Sequence, residues 1–102
     1  MATQSTVKDG VGTLSPRGRF DFSQLQEFVD SGTKLIADSS VRSLVIDLGQ
    51  VDYLDSSALG MLLLIRERCQ QAKGQPPSIA NAKGVVKKVL DVANFQKLFT
   101  VR

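Results

Sequence analysis

Three carboxylates, Asp47, Asp52 and Asp55, fall within nine residues and are followed at once by two hydroxyls, Ser56 and Ser57. Clustered oxygen ligands suit magnesium. A magnesium-assisted phosphoaspartate site at a strand end also needs an acidic pair after the first strand, and Thr6 to Gly12 offers only Asp9, in a turn. Metal binding is therefore the weaker reading, and no metal or cofactor is expected. Either Asp55 or Ser56 is placed to cap a helix by accepting bonds from the free N–H groups of its first turn. A hydroxyl at a helix N-terminus is also a good phosphoacceptor, because backbone donors and the positive end of the helix dipole stabilise an added phosphate.

The remaining composition removes most other chemistries. The chain of 102 residues has no histidine, which excludes Ser-His-Asp and Cys-His nucleophilic catalysis and any phosphohistidine carrier. Cys69 is its one cysteine, so no internal disulfide can form and a cysteine-based zinc site is disfavoured. Its spacing from Ile65 marks it as a small buried apolar residue. A phosphotransferase using the acidic loop would lack histidine, a glycine-rich phosphate loop and a metal set. No enzymatic activity is expected.

With 42% hydrophobic and 23% charged residues, the chain reads as one globular domain spanning residues 1–102. The segment MATQSTVKDG lacks the apolar stretch of a signal peptide. The longest apolar run, Ala58 to Ile65, is eight residues interrupted by Gly60, well short of the roughly 20 that span a bilayer. A cytoplasmic protein, monomeric when free and without membrane insertion, is expected. The net charge of +3 averages two unlike halves. Up to Ile65 five basic residues face eight acidic ones, whereas from Arg66 onward eight basic residues face only Glu67 and Asp91. No tryptophan, a single tyrosine and no reading motif accompany the basic half, so no nucleic-acid partner is expected.

The elements that must position these groups alternate. Asp9-Gly10 between Thr6–Lys8 and Val11–Leu14 predicts a hairpin. Pro16 makes its second strand an edge or a bulge, continuing through Gly18 to Phe20. Ser23 and Gln26 have capping-box spacing, and Leu25, Phe28, Val29, Gly32, Leu35 and Ile36 form one helical stripe. Gly32 lies on that stripe, which implies close approach of the helix to a sheet. Ser43 to Leu48 is a short, β-branched, nearly continuous apolar run, as expected for a strand covered by helices. Val51 to Asp55 reads as a loop, and Ser56 to about Lys73 as a second helix closed by Gly74. A strand over Ser78–Ala80, a third helix capped by Asn81, a left-handed helix end at Asn94 and a last strand over Leu98–Val101 complete the order. The fold class is α/β, β-β-α-β-α-β-α-β, with a mixed, mostly parallel sheet and about three helices.

Leu44-Val45-Ile46-Asp47-Leu48, a spacer, then Tyr53-Leu54-Asp55-Ser56-Ser57-Ala58-Leu59-Gly60-Met61-Leu62 resembles the STAS family of bacterial anti-sigma factor antagonists and sulfate transporter tails. Gly18-Arg19-Phe20-Asp21 is similar to the Gly-Glu-Leu-Asp common there, with Arg19 in place of Glu; Ala58 replaces a usual Gly.

The resemblance implies a partner switch. The unmodified protein would bind an anti-sigma factor through Asp21, Asp52, Asp55, Ser56, Ser57 and Ala58. A partner serine kinase, often the anti-sigma factor itself, would phosphorylate Ser56, with Ser57 as second choice, and a PP2C-type phosphatase would reverse it. The rival reading within the same fold is a non-phosphorylated accessory subunit of a lipid-transport ATPase complex.

Overall fold

A computed structural model describes residues 3–101; Met1, Ala2 and Arg102, the ends of the expected domain, lie outside the described residues. Strands β1 (Thr3–Lys8) and β2 (Val11–Pro16) form the expected hairpin. Asp9 and Gly10 both take positive φ, +53° and +81°, the geometry that lets a two-residue turn match the twist of the strands. Glycine has no Cβ to strain there, and aspartate tolerates the left-handed region better than most residues.

As a whole β2 is an inner strand, and the edge expected at Pro16 is found only locally, where the parallel neighbour has ended. The strand lies between β1 and β4 (Ser43–Asp47), antiparallel to the first and parallel to the second. Pro16 is accommodated because the ladder with β4 covers only Val11–Leu14, so the missing N–H falls where the parallel partner has already ended. Gly18, at φ +70°, then turns the chain away into β3 (Gly18–Phe20).

The next helix is reached through a short 3-10 turn, Phe22–Gln24, leading into α1 (Leu25–Ala37). Asp21 caps the turn, accepting from the Ser23 backbone N–H at 3.0 Å and its hydroxyl at 2.6 Å. The predicted Ser23 cap is thus displaced by two residues. The buried amide is Gln24 rather than Gln26, and it donates to the carbonyls of Arg17 and Arg19 while accepting from the Thr3 hydroxyl. That pull seats the start of α1 against the β2–β3 turn.

The stretch expected to be a loop contains a strand, β5 (Val51–Leu54), parallel to β3. These two form a separate ladder, tied at its base by Gly18 N–H donating to Gln50 O at 2.8 Å. The helix α2 (Ser56–Lys73) ends at Gly74 in the left-handed region, as expected. Strand β6 (Ser78–Ala80) pairs with β4, and after α3 (Gly84–Val92) the short β7 (Thr100–Val101) closes a five-stranded sheet in the order β1-β2-β4-β6-β7. Asn94 is left-handed as expected, but Phe95–Lys97 forms another 3-10 turn, which shortens the last strand. Asn81 does not cap α3: it stands three residues upstream at φ +63°, and Lys83 occupies the cap position without a side-chain bond.

Leu14, Phe20, Phe28, Ile46, Leu62, Ile65 and Ile79 form the fully buried centre of one continuous core. Phe20 and Phe28 meet in a tilted pair with ring centroids 4.8 Å apart, fixing α1 to the end of β3. Gly32 lies against Ile65 of α2 as well as Leu14 of β2, so close approach to a second helix, in addition to the sheet, explains the glycine.

Candidate functional site

Strands β3 and β5 run parallel, and an aspartate stands directly after each one to cap the succeeding helical turn: Phe20 pairs with Leu54, then come Asp21 and Asp55. Asp55 is extended, at φ -125°, and its Oδ1 accepts from the Ala58 N–H at 3.2 Å. The Leu59 N–H reaches the Asp55 carbonyl at 3.2 Å. The Asp55 side chain thereby satisfies one of the free donors at the start of α2, its carbonyl accepts the first intrahelical bond, and the N–H groups of Ser56 and Ser57 have no partner within the helix.

Ser56 is the first helical residue and is exposed; Ser57 and Asp55 are half-buried. Ala58 is fully buried, at the head of the core-facing stripe of Met61, Leu62, Ile65 and Cys69. Its side chain cannot touch a partner, which corrects the expectation that it forms part of the docking surface. An alanine there gives the first turn a better helix former than glycine and seals the core beneath the serines.

Asp52 is exposed for a specific reason. Between Gly18 and Arg19 the ladder advances one residue on β3 but two on β5, from Val51 to Tyr53, so Asp52 is the extra residue of a bulge. Tyr53, partly exposed, lies beneath the Arg19 guanidinium, whose Cζ stands 4.1 Å from the ring centroid. Arg19 Nε is 3.6 Å from the Asp21 carboxylate. Bonds from the Ser23 hydroxyl and N–H, with the nearby Arg19 charge, hold the Asp21 carboxyl below its ordinary value of 3.8. Phe22, beside it, is 69% exposed.

Asp47, the third acid of the sequence cluster, is spent elsewhere. Its Oδ1 accepts from the Gly49 N–H at 2.9 Å and the Asn81 amide at 3.1 Å, joining the loops after β4 and β6. Among the described residues no three acidic or cysteine side chains gather closely enough to hold a metal ion. No helix of the described residues is long and apolar enough to cross a membrane.

The site thus unites Asp21, Asp52, Asp55, Ser56 and Ser57 around one ladder and excludes Ala58 and Asp47. The Arg19–Tyr53 stack and the exposed Phe22 were missing from the sequence reading. The only local signal for them was an aromatic and a β-branched residue in Val51-Asp52-Tyr53-Leu54, consistent with a strand.

The model of the STAS domain family matches residues 2–102. The chain belongs to the STAS family. A STAS-domain containing protein of Pseudomonas aeruginosa is 42% identical over 89 residues, covering 87% of this chain and 85% of that one. A protein of Bordetella bronchiseptica, provisionally named the anti-sigma factor antagonist BtrV, is 31% identical over 64 residues, covering 63% of this chain and 54% of its own length. Among solved structures, the Bacillus cell fate determinant SpoIIAA in its phosphorylated form superposes with a TM-score of 0.72 at 16% identity, covering 99% of this chain and 91% of that one. The compact α/β architecture with three helices and a mixed sheet is that of the STAS domain.

Proposed function

We propose that this STAS domain is a phosphorylation-controlled partner switch whose modified group is the Ser56 hydroxyl. The observation that carries the reading is the exposure of Ser56 at the first position of α2, with the Ser56 and Ser57 N–H groups unspent and Asp55 already serving as the cap. A kinase can reach that hydroxyl, and the helix end favours the phosphate once made. The existence of a phosphorylated form of SpoIIAA, and the name of the Bordetella relative, support the same reading.

In the unmodified state the docking surface is Asp21, Asp52, Asp55, Ser56 and Ser57, and the partner is an anti-sigma factor or a similar regulator. A phosphate adds about -1.5 to -2 charges beside Asp55 and Asp52. Crowding like charges at a docked surface weakens binding, and a coupling of about 3 kcal/mol changes affinity more than 100-fold. A partner serine kinase installs the phosphate and a PP2C-type phosphatase removes it, so the catalysis resides in the partners and the chain is itself no enzyme.

The test is intact-mass and peptide mapping of protein isolated from its native cell, together with pull-downs using Ser56→Ala and Ser56→Asp. The expected result is a phosphate on Ser56, retained binding by the alanine variant and lost binding by the aspartate variant. An unmodified Ser56 with unimpaired Ser56→Asp binding would overturn the reading, and recovery of a transport ATPase as sole partner would favour the accessory-subunit alternative.

A further inference from the structure

Arg19 is the one base among the residues that build the proposed switch surface. Residues 18–24 and 50–60 supply β3, β5, the two capping aspartates and the start of α2, and beside Arg19 their charges are those of Asp21, Asp52 and Asp55. The Arg19 guanidinium is held loosely. It lies over the Tyr53 ring, 4.1 Å from the centroid, and its Nε stands 3.6 Å from the Asp21 Oδ2, a slack ion pair on a side chain that is 66% exposed. Asp21 does not depend on it, because the other oxygen of that carboxylate already accepts from the Ser23 N–H and hydroxyl. Among the described residues Arg19 makes no further side-chain contact of this kind, so most of its five N–H donors are unspent.

The register brings this cation beside Ser56. Arg19 pairs with Tyr53 and Phe20 with Leu54; one position further on stand Asp21 and Asp55, and Ser56 follows at once. The guanidinium already leans that way, since its Nε lies against Asp21, two residues along its own strand. From the level of Asp21 and Asp55 to Ser56 the chain advances one residue, about 3.3 Å, and neighbouring strands lie about 4.8 Å apart. A phosphate on the exposed Ser56 oxygen thus comes within reach of the guanidinium by side-chain rotation alone, with the backbone unmoved. An exposed cation–π contact and a slack ion pair are weak, whereas a guanidinium meets a phosphate through two parallel charge-assisted bonds.

We infer that Arg19 is the phosphate-binding residue of the switch: when Ser56 is phosphorylated, the guanidinium leaves the Tyr53 ring and pairs with the phosphate oxygens. The inference rests on Ser56 as the modified group. Phosphorylation then alters the docking surface twice, once by adding charge and once by dissolving the stack across β3 and β5 and baring the face of Tyr53.

The experiment uses the full chain with phosphoserine installed at position 56 during translation, so that no kinase is needed. Phosphorus NMR titrates the second ionisation of the phosphate, and proton NMR follows the Tyr53 ring. The phosphate of Arg19→Gln is expected to bind its proton about two- to fivefold more tightly than that of the wild type, the size of an exposed ion pair, and the difference should shrink in concentrated salt. Asp21, Asp52 and Asp55 are present in both proteins and cancel in the comparison. Arg19→Lys, which keeps the charge without the planar fork, should fall between them, and Arg17→Gln, which removes an exposed cation two residues away, should match the wild type. The Tyr53 ring resonances should move on phosphorylation in the wild type and stay in place in Arg19→Gln. Equal phosphate midpoints in wild type and Arg19→Gln, an equal effect of Arg17→Gln, or an unresponsive Tyr53 ring would each overturn the inference. A native protein without phosphate would instead overturn the modification itself, and that is read from the peptide map rather than from the installed phosphoserine.

Discussion

Gly32 and Ile65 are in contact so close that a Cβ on Gly32 would stand 2.7 Å from the Ile65 Cδ1, with the Leu14 Cδ2 at 3.3 Å on its other side. Ile65 and Leu14 are both fully buried and have nowhere to retreat. Alanine at this position would gain about 1 kcal/mol of helix propensity. Overpacking of a filled core costs about 1–3 kcal/mol, so Gly32→Ala should lose about 1 kcal/mol net. Urea denaturation checks it, and combining the change with Ile65→Val, which deletes the offending methyl, should cost less than the sum of the two single variants. Strict additivity would show that the two side chains do not clash.

The Asp55 cap can be separated from the Asp55 charge. Asparagine caps nearly as well as aspartate, whereas alanine leaves the Ala58 N–H without its partner. Asp55→Ala should lower unfolding free energy by about 1 kcal/mol and Asp55→Asn by only a few tenths. Equal losses in a denaturation series would show that the carboxylate acts through its charge instead. A stable Asp55→Asn protein then reports, in partner binding, what the negative charge beside Ser56 contributes.

The Asp21 carboxyl should titrate below 3.8 in the folded protein, chiefly because the Ser23 hydroxyl and N–H bond to its ionised form, with Arg19 assisting. Since the unfolded chain takes up the proton more readily, the stabilisation is complete above the ordinary value and fades as pH falls through the lower folded one. Carbon NMR titration should place the Ser23→Ala midpoint nearer 3.8 than wild type, with a smaller change for Arg19→Ala. A larger change for Arg19→Ala would reverse the order of causes.

Cys69 is fully buried, its thiol donates to the Gln75 carbonyl at 3.4 Å, and burial pushes its pKa up. The thiolate is the reactive form, so disulfide-exchange reagents should label native protein slowly at neutral pH and label it fully in urea. Rapid labelling without denaturant would mean that α2 opens near its C-terminal end.

Features set by local chemistry were legible in the sequence. The Asp9-Gly10 turn, the left-handed Gly74 and Asn94, and the Asp55–Ser56 start of α2 each depend on the residue's own backbone preference or a cap within three positions. Strand β5 was not legible. Its bulge at Asp52 breaks the alternation of buried and exposed residues, and its partner is three residues long and over thirty positions away. The start of α1 was misplaced because Asp21 and Ser23 are both competent caps, and the choice is made by Gln24, which is drawn into bonds with residues of the β2–β3 turn. Ala58 was assigned to the surface from its place in a motif, whereas the direction of its Cβ is set by the stripe it heads.

The two-stranded ladder that presents Asp21 and Asp55 shares no strand with the five-stranded sheet. It is joined to the rest of the molecule through side chains instead, with Phe20, Val51 and Leu54 in the common core. Residues 18–24 and 50–57 could be exchanged together for those of another STAS domain, moving the proposed docking residues while the strand pairing of the larger sheet stays in place. Exchanging one segment alone would strand its partner: Arg19 would lose the ring beneath it, and the Asp52 bulge would lose the register that creates it. The two distant stretches of sequence therefore have to change together if the ladder is to keep its register.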